Sequence, residues 1–150
     1  MKQVVVLSIV AVVLAACQTV PVPQREGRIR AVVDIITTAP VEEVVAYSQT
    51  PFVFDSELLV LESDLDLIWT RLRAAGFDLK DAEIVQISPL TADSYAEFAE
   101  SYEMRIFFEE YLSADGAVVR VRNGSGEYLL LLDDSRKRTP LLYGLKGPLS

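Results

Sequence analysis

Ala117-Val118-Val119-Arg120-Val121-Arg122-Asn123-Gly124-Ser125-Gly126-Glu127-Tyr128-Leu129-Leu130-Leu131-Leu132-Asp133 decides the fold of this chain. Two runs rich in β-branched and apolar residues, 117–122 and 127–133, flank Asn123-Gly124-Ser125-Gly126, and Asn and Gly accept the positive φ that a tight hairpin needs. The pair reads as two antiparallel strands. Residues 129–132 are apolar at odd and even positions alike, so the second strand needs cover on both faces and belongs inside a sheet. A third strand, 141–145, follows the turn at Ser135-Arg136-Lys137-Arg138, and Pro140 ahead of it suits an edge. A three-stranded antiparallel meander is expected to close the chain.

Immediately upstream, residues 94–112 carry two apolar stripes in conflict. Tyr95, Phe98, Ala99, Tyr102 and Ile106 share one helical face, and Met104, Phe107, Phe108, Tyr111 and Leu112 fall on nearly the opposite one. One straight surface helix cannot bury both. The spacing favours a break near residues 101–103 over a helix packed on two sides. Ser94 with Glu97 has the form of a capping box that opens the first part. Further upstream, residues 83–88 read as a strand, and Leu65, Ile68, Trp69 and Leu72 form a helical stripe. Ser63 is its expected cap, Gly76 its expected end, and Phe77 is expected to fold back near Leu72. Residues 52–61 are strand-like with a break at Asp55-Ser56. Ile29, Val32, Val33 and Ile36 make a helix, although the β-branched content of residues 32–38 also allows a strand, and after Pro40 a second stripe runs through Val41, Val44, Val45 and Tyr47.

Helices, then a strand, a helix, another strand and a closing meander make an α+β domain, with N-terminal helices packed on a mainly antiparallel sheet. In this order of elements, residues 29–145 resemble the NTF2-like family, whose helices pack on a curved sheet and often enclose a pocket. The stretch 94–112 departs from that pattern, because the family usually runs straight into sheet there. The resemblance implies either a non-catalytic binding domain or an isomerase or dehydratase with a carboxylate or histidine base in an apolar pocket.

The N-terminus carries an address. Lys2 precedes residues 4–16, which contain no charge and a single hydroxyl, and Leu14-Ala15-Ala16-Cys17 closes the run. A basic start, a short apolar core and small residues at a cut make a secretory signal. Thirteen residues in a helix span only ~20 Å, short of the ~30 Å hydrocarbon core of a bilayer. Residues 1–17 resemble the signal of bacterial lipoproteins, which ends in a Leu-Ala-Ala/Gly-Cys lipobox. The resemblance implies that residues 1–16 are removed and that Cys17 is acylated, a membrane anchor held by ~0.8 kcal/mol per buried methylene. Gln18 does not match the aspartate that marks inner-membrane retention in some lipoproteins, which points to the outer membrane of a bacterial envelope. Residues 17–28, with two prolines and no apolar period, read as the lipidated cysteine and its tether, and residues 29–150 as a single globular domain.

Composition excludes much chemistry. Cys17 is the sole cysteine and histidine is absent, so no internal disulfide, histidine base or cysteine- or histidine-ligated zinc is available. The full chain carries a net charge of −8, and residues 42–115 hold 17 acids against 4 bases. That sign disfavours nucleic acid. The acids cluster in first helical turns, where the macrodipole favours them, and no carboxylate spacing fits a calcium loop. No metal site or cofactor is expected.

Three further features carry candidate roles. Asp55, between apolar runs, is a candidate base with Tyr47, Tyr128 or Tyr143 as phenol donor; the plainer and preferred reading is a chain turn with tyrosines at the core edge. Arg136, Lys137 and Arg138 form the basic run, a contact for lipid phosphates or an acidic partner, or, as preferred, a solvated hairpin tip that protects a sheet edge. Glu109 or Glu110, at a helix end that the dipole disfavours, is expected to meet Arg120 or Arg122 on the neighbouring strand.

Two function classes follow. One is a lipid-anchored, non-catalytic module that binds an envelope protein through apolar surface at residues 107–112; the other is a pocket domain that binds or converts a small apolar ligand. A cavity lined by Phe54, Trp69 and Tyr128 favours the second, and a filled core with an exposed aromatic patch favours the first.

Overall fold

The computed structural model describes residues 22–133 and 138–150. Cys17, Arg136 and Lys137 lie outside them. The chain is α+β: helices α1 (Val22–Thr38) and α2 (Val41–Tyr47), strands β1 (Ser48–Phe54) and β2 (Glu57–Leu59), helix α3 (Glu62–Ala74) and strand β3 (Glu83–Pro89) come first. A 3-10 turn (Ser94–Glu97), helix α4 (Tyr102–Tyr111) and the meander β4 (Ala117–Asn123), β5 (Gly126–Asp133) and β6 (Leu141–Lys146) complete it. The six strands form one sheet in the order β2-β1-β6-β5-β4-β3. The β1–β6 pair is parallel and every other pair antiparallel. Element order and strand order are compatible with an NTF2-like arrangement.

The apolar double face of β5 organises the molecule. Leu130 and Leu132 point to one side, where Ile29, Val32 and Ile36 of α1, Val44 of α2, and Leu65 and Trp69 of α3 cover them. Leu129 and Leu131 point to the other, beneath Phe98, Met104 and Phe107. A sheet with helices on both faces results, and β5 is interior as its composition requires.

Local chemistry accounts for most boundaries. Gly76 takes φ +78°, and the Phe77 and Gly76 N–H groups bond the carbonyls of Leu72 and Arg73 at 2.9 and 3.0 Å, which ends α3 as expected. Its start differs: Leu61 is the cap residue and makes no side-chain cap bond, and Ser63 sits inside the helix. α1 already includes Val22, the first described residue, so the helix reaches upstream of the apolar stripe into the expected tether. Arg73 of α3 holds the far end of α1, donating to the carbonyls of Ile36, Thr37 and Ala39 at 2.6 to 2.8 Å.

The conflict in residues 94–112 resolves as a break. The first part is only the 3-10 turn, where Ser94 Oγ accepts from the Thr91 N–H instead of capping a helix. Ser101 then caps α4 through the Met104 N–H. Phe98 of the first stripe and Met104 and Phe107 of the second are buried, whereas Tyr102 of the first stripe falls on α4 and is left exposed. Pro140 does not mark an edge: it precedes β6, which runs between β1 and β5.

Candidate functional site

An open apolar groove of about 290 Å³ lies between β2 and α4. Its position follows from the helix period. Met104 and Phe107 point into the core under the sheet, and the flank beside them carries Tyr102 and Ile106 toward the end of the β1–β2 hairpin. Pro51, Leu58 and Val60 form the opposite wall. Phe107, only 2% exposed, makes the floor and stacks on Tyr111 with ring centroids 5.7 Å apart and planes 21° apart. The walls are open to water: Val60 is 64%, Tyr102 66% and Tyr111 50% exposed. Glu103 and Glu110 line the rim. The expected contact segment thus contributes Tyr111, whereas Phe107 is structural.

On the other face of the sheet the centre is filled. Trp69 is 2% exposed and packs edge-on to Phe52 at 6.2 Å; Phe77 bridges it to Tyr128 at 6.5 and 5.4 Å. The indole Nε1–H donates to buried Ser48 Oγ at 3.2 Å, and that hydroxyl donates to the Val44 carbonyl at 2.8 Å. Aromatic rings therefore occupy the space between Trp69 and Tyr128.

Asp55 forms the β1–β2 turn with Ser56, at φ +53°. Its carboxylate accepts the Gly147 N–H at 3.0 Å, and its own N–H bonds the Leu145 carbonyl at 2.9 Å, so it ties the hairpin to the end of β6. Tyr47 and Tyr143 titrate above the ordinary phenol range, each chiefly because of burial. The Tyr47 hydroxyl lies near Thr139 without meeting hydrogen-bond geometry. Arg138 bonds Asp133 at 2.6 Å. Among the described residues no group of three carboxylates converges to hold a metal ion, and no helix is long and apolar enough to cross a membrane.

The expected pairing of Glu109 or Glu110 with the strand arginines is corrected. Arg120 and Arg122 both bond Glu127 of the neighbouring strand β5, at 2.7 and 2.8 Å, and Arg120 also reaches Glu97 at 3.7 Å. Arg122 and Glu127 are directly paired across the hairpin. Glu109 turns instead to Arg105 one helical turn back, at 3.9 Å. Hydrogen bonds from Arg120 and then Arg122 hold the Glu127 carboxyl below its usual range.

Sequence reasoning missed the β2 wall of the groove. Val60 and Leu61 were legible as strand residues, but only the end of β2 at Leu59 and its place at the sheet margin leave them uncovered. No family model, curated protein or solved structure matches this chain.

Proposed function

We propose that this chain is a lipid-anchored lipoprotein of the bacterial cell envelope, tied to the outer membrane through Cys17, whose domain binds a protein partner without catalysing a reaction. The observation that carries the binding role is the exposed groove between β2 and α4, set on a core whose other apolar side chains are packed. Side chains such as Tyr102 and Tyr111 offer large, stiff apolar area at small entropic cost, which suits a contact surface. The lipobox sequence at residues 14–17 supports the anchor. Holding the domain in a plane raises its effective concentration toward other envelope components, so a groove of modest area suffices.

The test is photo-cross-linking of the full-length, lipidated protein in its own envelope. A photoreactive residue in place of Tyr111 is expected to give a discrete cross-linked product, and the same residue in place of exposed Glu43 is expected to give none. Equal products at both positions, or none at either, would contradict the groove as the contact surface.

A further inference from the structure

We infer that the groove's occupant is an extended segment of another envelope protein, with apolar side chains at alternate positions and Lys or Arg among them, added to the free edge of β2 as a seventh strand. This rests on the groove being the contact surface, and it goes further in specifying the chemistry and backbone geometry of what binds there.

The backbone supplies the first ground. Asp55 and Ser56 are the only residues between the paired Phe54 and Glu57, so β1 and β2 are joined by a two-residue turn. In such a hairpin the closing pair exchanges backbone hydrogen bonds and the next pair, Val53 and Leu58, does not. The Leu58 N–H and C=O therefore point away from β1, and among the described residues β2 has no neighbouring strand on that side. The opposite margin of the sheet is protected. There Ile84 and Gln86 pair with consecutive residues Val121 and Arg120, so Val85 is a bulge, and β3 ends on Pro89. The β2 margin has neither a bulge nor a proline, and it runs into Val60 and Leu61, 64% and 57% exposed.

Charge supplies the second ground. Exposed Glu57 and Glu62 bracket this edge, and Glu103 and Glu110 stand on the α4 rim. Arg105, the single base of α4, is engaged by Glu109 and lies 5.3 Å from the Tyr102 ring centre. A strand beside β2 sends alternate side chains toward α4, where apolar groups meet Leu58, Ile106 and Tyr111; the side chains between them lie on the opposite face, on the side of Glu57, where cations meet the exposed carboxylates of Glu57 and Glu62. An anionic membrane is repelled by the same rim.

The experiment uses the full-length lipidated protein in nanodiscs of phosphatidylcholine. Three probes are compared: a short peptide alternating lysine and valine, its glutamate–valine counterpart, and the lysine–valine peptide N-methylated along its backbone. The lysine–valine peptide is expected to bind at least about tenfold more tightly than the glutamate–valine one and to slow hydrogen exchange at the Leu58 amide. N-methylation is expected to abolish that protection, and Glu57→Lys with Glu62→Lys to erase the charge preference. Equal affinity for the two charged peptides, binding without Leu58 protection, or Leu58 protection by phosphatidylglycerol vesicles in place of the peptide overturns the proposal. If the peptides fail while the Tyr111 cross-link in the envelope persists, strand addition falls and the contact surface stands. If both fail, the contact surface falls with it.

Discussion

At the scale of single residues, Ser48 does more than its size suggests. It is buried, sits at the α2–β1 junction, and satisfies the indole of the sole tryptophan while its own proton goes back to the helix. Ser48→Ala leaves the Trp69 N–H buried without an acceptor and is expected to destabilise the domain by about 1–3 kcal/mol. Urea denaturation followed by Trp69 fluorescence measures this, and an unchanged midpoint would count against the network. The core role of Trp69 was legible from its helical stripe. Its partner was not, because a hydroxyl 21 residues away leaves no periodic trace. Asp55 was likewise legible as a turn residue, but the tie to Gly147 joins residues 92 apart in the chain and appears only in space.

At the scale of elements, the meander was readable because β4 and β5 are adjacent in sequence and joined by Asn and Gly, so local turn chemistry fixes their register. The place of β6 was not readable. Its parallel pairing with β1 spans most of the domain, and Pro140 ahead of it imitated an edge. Gly144 is the hidden requirement there: an added Cβ would lie 2.9 Å from Val53 Cβ and 3.3 Å from Leu131 Cβ. Gly144→Ala is therefore expected to cost about 1–3 kcal/mol by overpacking between β1 and β5, measurable as a lowered urea midpoint at constant slope.

The β4–β5 hairpin also carries a pH dependence. Because the folded Glu127 pKa lies below its unfolded value, the stabilisation is complete above the unfolded value of about 4.3 and is lost as pH falls through the folded value. Glu127→Gln should therefore be less stable than the parent at neutral pH, and the gap should close on acidification. A gap independent of pH would show that the Arg120 and Arg122 bonds contribute nothing through charge.

At the scale of the whole molecule, the four-leucine run of β5 foretold a sheet covered twice, and the break in residues 94–112 supplied the second cover. The groove exists because α4 is too short and too narrow to cover the β1–β2 end of the face it packs on. Of its aromatic half, Tyr111 falls within the expected contact segment, while the helical period groups Tyr102 with a stripe of core residues; its strand half depended on which β-strand lies at the margin, a long-range outcome of topology. We propose that such a margin and acidic rim, on a chain anchored through Cys17, serve to meet partners beside a membrane. The most direct measurement is the intact mass and N-terminal fragmentation of the protein extracted from the membranes of cells that make it. A chain lacking residues 1–16 and bearing acyl groups on Cys17 is the expected result, and a chain that begins at Met1 with a free thiol at Cys17 would contradict it.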